Sequence, residues 1–143
     1  MKIGIMGGTF NPIHNAHLLI AEMAREEYGL DRVIFITDGN PPHKSANVTA
    51  KHSFEMTHIA IADNSAFEED DFEINRSEKS YTVNTLGYLK EKYPNDDLFF
   101  IIGEDSLNDF DKWYKPDKIL EMCSLLVFPR KSLKSLTETI KAV

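Results

Sequence analysis

The chain has 143 residues, with 16 Lys plus Arg against 23 Asp plus Glu and a formal net charge of −7. That length, with 42% hydrophobic residues and nine Phe, five Tyr and one Trp, suits one ordinary globular domain and excludes a disordered chain; no window nears the roughly 18 consecutive apolar residues of a membrane helix. The acidic balance argues against a general nucleic-acid binder, though not against a small anion held by local backbone donors, while the lack of a secretory signal and a lone cysteine, Cys123, predict a cytoplasmic protein.

In chain order, Lys2–Met6 reads as a short strand ending at Gly7-Gly8. From His14 the pattern turns helical, and Gly29 caps that helix after Tyr28. Val33–Thr37 is β-branched and aromatic, a buried strand. A loop at Asp38–Pro42 precedes a second helical stretch from Thr49, with Phe54, Met56, Ile59 and Ile61 over a broad apolar face. Phe67–Asp71 reads as an acidic surface loop and Phe72–Asn75 as a short strand. Val83, Leu86, Leu89 and Tyr93 recur at helical spacing within Tyr81–Tyr93. Leu98–Ile102 is the most apolar strand, ending in Gly103. Short helices follow at Glu104–Phe110 and Asp117–Met122, then a strand at Ser124–Phe128. Leu133, Leu136, Ile140 and Val143 place an amphipathic helix over Ser132–Val143.

Strands alternating with helices predict an α/β fold: a Rossmann-like, doubly wound parallel sheet of about five strands, ordered 3-2-1-4-5, in a single domain over residues 1–143. Such sheets bind ligands beyond the carboxyl ends of the strands, at the switch between strands one and four. Gly7-Gly8 and Gly103-Glu104-Asp105 follow those two strands.

The informative string is Gly7-Gly8-Thr9-Phe10-Asn11-Pro12-Ile13-His14-Asn15-Ala16-His17. Two glycines let backbone approach a ligand, Thr9 adds a hydroxyl, and the helix start offers unpaired N–H groups and a positive dipole end to phosphate. His14 and His17, three apart, share a helix face and can donate to phosphoryl oxygens, where charge builds during phosphoryl or nucleotidyl transfer. A glycine turn alone is common, and two histidines could be surface residues. Zinc would want a third ligand, and none stands at ligand spacing, so no protein-borne metal is expected.

This string resembles the signature of nucleotidylyltransferases with the HxGH motif. Pro41-Pro42-His43-Lys44, Ser80-Tyr81-Thr82-Val83-Asn84-Thr85-Leu86, Ile102-Gly103-Glu104-Asp105-Ser106-Leu107, Trp113 and Leu126–Arg130 narrow the resemblance to bacterial nicotinate-nucleotide adenylyltransferase, from Lys2 to Arg130. The resemblance implies transfer of AMP from ATP to nicotinate mononucleotide, giving nicotinate adenine dinucleotide and pyrophosphate. It implies no protein nucleophile, and magnesium carried on the substrate phosphates. Its catalytic pair falls on His14 and His17. Its ATP site falls on those two with Gly7, Gly8, Thr9, Phe10, Gly103 and Asp105. Its acceptor site falls on Lys44, Tyr81, Thr82 and Trp113.

Each residue also has a plainer reading. Lys44 can be a solvated loop lysine, Tyr81 can pack under its helix, Thr82 can be only an N-cap, Asp105 can cap a short helix, and Trp113 can be core. The polar run Asn108–Lys112 favours an exposed rim for Trp113. His52 and His58 read as structural or solvated, Cys123 as inert packing, and Glu68–Asp71 as a solvated loop. Ala16 stands where the motif has glycine, Asn11 and Asn84 where the family has Asp, and Ser53 where arginine is frequent. The family's late Ser/Thr/Arg phosphate motif has no match: Ser135–Lys141 comes too soon after Arg130. The expectation is therefore a domain lacking the family's C-terminal segment, as a fragment or a shortened, catalytically impaired nucleotide-binding paralogue. Another HxGH nucleotidylyltransferase is a sibling reading. No oligomeric state follows from the sequence.

Overall fold

A computed structural model describes residues 1–8, 10, 13–39, 47–75, 81–129 and 141–142, with no side-chain description at 47–49 or 141–142. The strands are β1 (Lys2–Gly8), β2 (Arg32–Thr37), β3 (Phe67–Asp70), β4 (Asp97–Gly103), β5 (Ser124–Phe128) and β6 (Lys141–Ala142). The helices are α1 (Asn15–Tyr28), α2 (Asn47–Ile61), α3 (Thr82–Lys92), α4 (Glu104–Asn108) and α5 (Pro116–Met122), with a 3-10 turn at Phe110–Lys112. The sheet order is β3-β2-β1-β4-β5-β6. The first five strands are parallel, in the expected 3-2-1-4-5 order, and β6 adds an antiparallel edge through Leu126↔Ala142 and Val127↔Lys141.

The period-2 pattern sorts the core into two layers. Met6, Val33, Phe35, Ile101 and Leu126 face one side, against Ile20, Ala21 and Ala24 of α1. Ile3, Ile5, Ile34, Ile36, Leu125 and Val127 face the other, against Val83, Leu86 and Leu89 of α3 and Ile119 of α5. Each such aliphatic side chain stabilises the fold by about 1.5–3 kcal/mol when fully buried. Gly29 ends α1 in the left-handed region, at φ 64°, its N–H bonded to Arg25 O. A residue without Cβ meets no penalty there.

Three expectations are corrected. The acidic run is strand β3 rather than a surface loop, and 72–75 is a turn rather than a strand. Its acids are accommodated because each meets a partner from a different element. Arg32 Nη1 donates to both Glu68 oxygens at 3.1 Å. His58 Nδ1 lies 2.9 Å from Glu69 Oε1. Tyr88 Oη and Lys92 Nζ donate to Asp70 Oδ2 at 3.0 and 3.1 Å. Burial holds the Glu69 carboxyl above its ordinary pKa, and the Asp70 hydrogen bond raises that of Lys92.

The second correction concerns α2. Its buried positions are Ala50, Ser53, Thr57 and Ile61, whereas Met56 and Ile59 are exposed. Small side chains line the contact with the sheet, and the larger apolar ones point away. The third concerns the C-terminal segment. The helix expected over Ser132–Val143 falls outside the described residues up to 140, and the two described beyond are strand.

The sheet's carboxyl edge is tied across its strands. Asp38 N–H donates to Gly8 O at 2.9 Å. A Cβ on Gly39 would lie 2.0 Å from Glu73 O, so the loop after β2 and the turn after β3 meet backbone to backbone. In contrast, a Cβ on Gly87, inside α3, would meet nothing within 4 Å. Gly87→Ala should therefore stabilise the fold by about 0.5–1 kcal/mol through helix propensity. Gly39→Ala should destabilise it by about 1–3 kcal/mol, because backbone must move. Denaturant midpoints of the two variants check both signs, and a wild-type midpoint for Gly39→Ala would contradict the close approach.

Candidate functional site

A cavity of about 800 Å³ opens at the carboxyl ends of β1 and β4. It has one end built by β1 and α1, an aromatic end built by α3 and the segment after β4, and a floor of strand residues.

At the first end, Gly7 and Gly8 line the cavity together with His17. His14 is the N-cap of α1 and His17 its third residue. The His14 backbone N–H donates to His17 Nδ1 at 3.0 Å, and His17 N–H donates to His14 O, also at 3.0 Å. The two rings stack with centroids 5.9 Å apart and planes 16° apart. The Nδ1 bond has a chemical consequence. A ring nitrogen that accepts carries no proton, so the neutral His17 tautomer bears its hydrogen on Nε2. Burial pushes the His17 pKa below its ordinary value, and the neighbouring His14 adds to the shift. His17 is thus a neutral donor near neutral pH. No acidic residue occupies the first turn of α1, which leaves the helix's positive end open to an anion.

Phe10 sits under this arrangement rather than in the cavity wall. It is 2% exposed, packs into the core, and meets His17 edge-on at 5.3 Å. Its φ of 45° is unusual for a bulky residue, and burial of the ring holds it there. Phe10 therefore braces His17 from the core.

At the other end, Tyr81 is the N-cap of α3 and Thr82 its first residue, and both line the cavity. Trp113 follows the 3-10 turn. Its ring lies 5.1 Å from Phe110 and 6.1 Å from Phe100. Tyr114 meets Tyr81 at 4.8 Å. Lys115, in the left-handed region at φ 52°, precedes Pro116 at the start of α5. Gly103 caps α4 beside the Phe128 ring, and Glu104 and Asp105 in its first turn also face the cavity.

Of the residues expected from the sequence, the structure brings Gly7, Gly8, His17, Tyr81, Thr82, Gly103, Asp105 and Trp113 to one cavity. His14 stands at its edge through His17, and Phe10 stands beneath. Thr9 and Lys44 lie outside the described residues. Sequence reasoning missed Asp38, Glu73, Thr85 and Tyr114, which also line the cavity. Asp38 follows β2, so the carboxyl-end rule could have found it. Tyr114 adjoins Trp113. Glu73 had no usable signal once its segment was read as a strand.

A doubly wound sheet with a glycine loop, a helix start and paired histidines at the switch point defines a nucleotide-handling α/β domain. The profile of the cytidylyltransferase-like family matches residues 5–142. A probable nicotinate-nucleotide adenylyltransferase of Citrifermentans bemidjiense is 47% identical over 98% of this chain and 67% of its own length. One from Geobacter sulfurreducens is 49% identical over 91% of this chain and 61% of its own. The chain thus spans about two thirds of the length of these curated relatives. A crystal structure of a Vibrio parahaemolyticus protein provisionally given the same name shares 25% identity, with a TM-score of 0.73 over 94% of this chain and 77% of that one. The Plasmodium falciparum nicotinic acid mononucleotide adenylyltransferase complexed with NaAD has the same fold, with a TM-score of 0.75 at 23% identity over 96% of this chain and 70% of that one. The chain belongs to the cytidylyltransferase-like family and, within it, to the nicotinate-nucleotide adenylyltransferases.

The His17 assignment can be read directly. Ring 15N–1H correlation spectra should show the Nε2–H tautomer, titrating below about 6.5. Since the unfolded chain takes up that proton first on acidification, His17 should lower stability as pH falls from about 6.5 through its folded pKa. An Nδ1–H tautomer would overturn the assignment.

Proposed function

We propose that this chain transfers AMP from ATP to nicotinate mononucleotide, giving nicotinate adenine dinucleotide and pyrophosphate, in the cytoplasm. The observation that carries the reading is the cavity itself, with neutral donors at one end and an aromatic wall beside a helix start at the other. The acceptor's phosphate oxygen attacks the α-phosphorus of ATP. The bond from that phosphorus to the oxygen bridging to the β-phosphate breaks, and pyrophosphate leaves with the electron pair. No protein nucleophile is needed, so the chain contributes position and charge stabilisation.

In this reading, His17 Nε2–H and the first-turn N–H groups of α1 hold phosphoryl oxygens as their charge grows. His14 holds His17. Gly7 and Gly8 let the phosphates approach the β1 backbone, and Thr9 is assigned to the same phosphates from its place in the motif. Asp105 accepts from ribose hydroxyls next to Gly103. Trp113 offers a plane for the pyridine ring, and the N–H groups at Tyr81 and Thr82 offer donors for its carboxylate. Lys44 is assigned to an acceptor phosphate from its place in the motif. Among the described residues no three His, Cys, Asp or Glu side chains gather as a metal site. Magnesium would be held by the substrate phosphates and water, where it would neutralise phosphate charge.

Pyrophosphate release from ATP should be measured with nicotinate mononucleotide, nicotinamide mononucleotide or no acceptor. Turnover is expected with the nicotinate form. Turnover confined to the nicotinamide form would sink the substrate assignment, and dinucleotide binding without turnover would favour a non-catalytic nucleotide-binding role. His17→Ala should lower kcat about 10²–10³-fold with the fold retained. Full turnover in that variant would remove His17 from the mechanism. Trp113→Ala should raise the acceptor KM on the order of tenfold through lost stacking, and a change confined to the ATP KM would contradict its placement.

A further inference from the structure

Glu73 is a buried acid that the mechanism above does not use. It is 7% exposed. Its Oε2 accepts the Thr85 hydroxyl at 2.6 Å, and Thr85 is itself buried in the first turn of α3. The same hydroxyl lies 3.5 Å from Tyr81 O, the carbonyl that also accepts the Asn84 and Thr85 N–H groups at 3.0 and 3.3 Å. A short O–H···carboxylate bond away from water is among the stronger hydrogen bonds a protein makes. It grips the turn that presents Tyr81 and Thr82 to the cavity.

Glu73 is held just as firmly from behind. Phe72 N–H donates to Asp70 Oδ1 at 2.9 Å, and Asn75 N–H donates to Asp71 O at 3.2 Å. The Phe72 ring stacks on Tyr88 of α3 at 4.1 Å. Tyr88 and Lys92 in turn hold Asp70. On its other side, the Glu73 carbonyl abuts Gly39, next to the Asp38 N–H that binds Gly8 O. The turn after β3 therefore touches the α3 helix start through a side chain and the loop after β2 through backbone.

We propose that Glu73 is a positioning residue: through Thr85 it fixes the first turn of α3 and so sets the affinity of the site for the acceptor's ring carboxylate. This rests on the reading of Tyr81 and Thr82 as the acceptor end. Glu73 acts by geometry rather than by its charge at the ligand, since a negative charge there would by itself weaken the binding of an anion.

Steady-state kinetics on the full chain separate these effects. Glu73→Ala and Thr85→Val should each raise the KM for nicotinate mononucleotide on the order of tenfold. Their double variant should be no worse than Glu73→Ala alone, because that change already removes the bond from the Thr85 hydroxyl to Glu73 Oε2. Values of kcat and the ATP KM should stay within about twofold. Thr85→Ser, which keeps the hydroxyl, should return the acceptor KM towards wild type. Glu73→Gln, whose amide oxygen still accepts, should stay within about threefold. Three outcomes overturn the proposal: an ATP KM that rises in step with the acceptor's, additive single effects, or a Glu73→Gln variant whose affinity for the nicotinate form departs from wild type by well over threefold in either direction. If Glu73→Ala does not fold, the Thr85→Val and Thr85→Ser pair decides. If the unmodified chain turns over neither pyridine nucleotide, the adenylyltransferase reading fails, and amide hydrogen exchange still judges Glu73. Exchange at Asn84 and Thr85 should accelerate in Thr85→Val but not in Thr85→Ser, and unchanged exchange in Thr85→Val overturns the grip.

Discussion

Strands β1 and β4 lie side by side and parallel, but the chain leaves them toward opposite faces of the sheet. From β1 it turns to α1, which covers the layer with Met6 and Phe35; from β4 it runs to α5, which covers the layer with Ile5 and Ile34. No helix start can sit across that seam, so the carboxyl ends of the two strands open into a crevice. The cavity, its glycines and the start of α1 all follow from this divergence. The core lies beneath it, and the buried Phe10 ring packs from that core against His17.

The protein has a net charge of −7, and the described donors at the α1 end of the cavity, His17 and the backbone N–H groups of the helix start, are neutral. His17 is kept neutral by burial, and the backbone bond to Nδ1 turns its proton toward Nε2. A neutral donor needs no counterion and does not titrate away near neutral pH. Of the acids that dominate the composition, Asp38, Glu73, Glu104 and Asp105 line the cavity and others hold the sheet edge. Glu68, Glu69 and Asp70 pin the edge strand to β2, α2 and α3, and their pairing makes a four-residue strand out of a segment with little β propensity.

Much of the frame was legible from local pattern. Strands β1, β2, β4 and β5 and α1 with its Gly29 cap follow from residues within a few positions of one another, and the alternation of strands with helices then gives the 3-2-1-4-5 order. The same local reasoning failed at Phe67–Asn75. Four successive acids look like solvent-exposed loop until Arg32, His58, Tyr88 and Lys92 arrive from other elements. It failed again on α2, where apolar spacing favoured Met56 and Ile59 but close approach to the sheet selected Ala50, Ser53 and Thr57.

The sequence by itself determined the sheet and its two layers, the glycine loop ahead of a helix, and the histidine pair on one helical turn. These are properties of short-range periodicity and of residues whose backbone preferences act locally. Tertiary structure alone decided which His17 nitrogen accepts the His14 backbone bond, that the buried Phe10 ring packs edge-on against His17, and that Glu73 accepts the Thr85 hydroxyl at the start of α3. Each depends on contacts whose partners come together only when the chain packs, and burial then gives those contacts their strength.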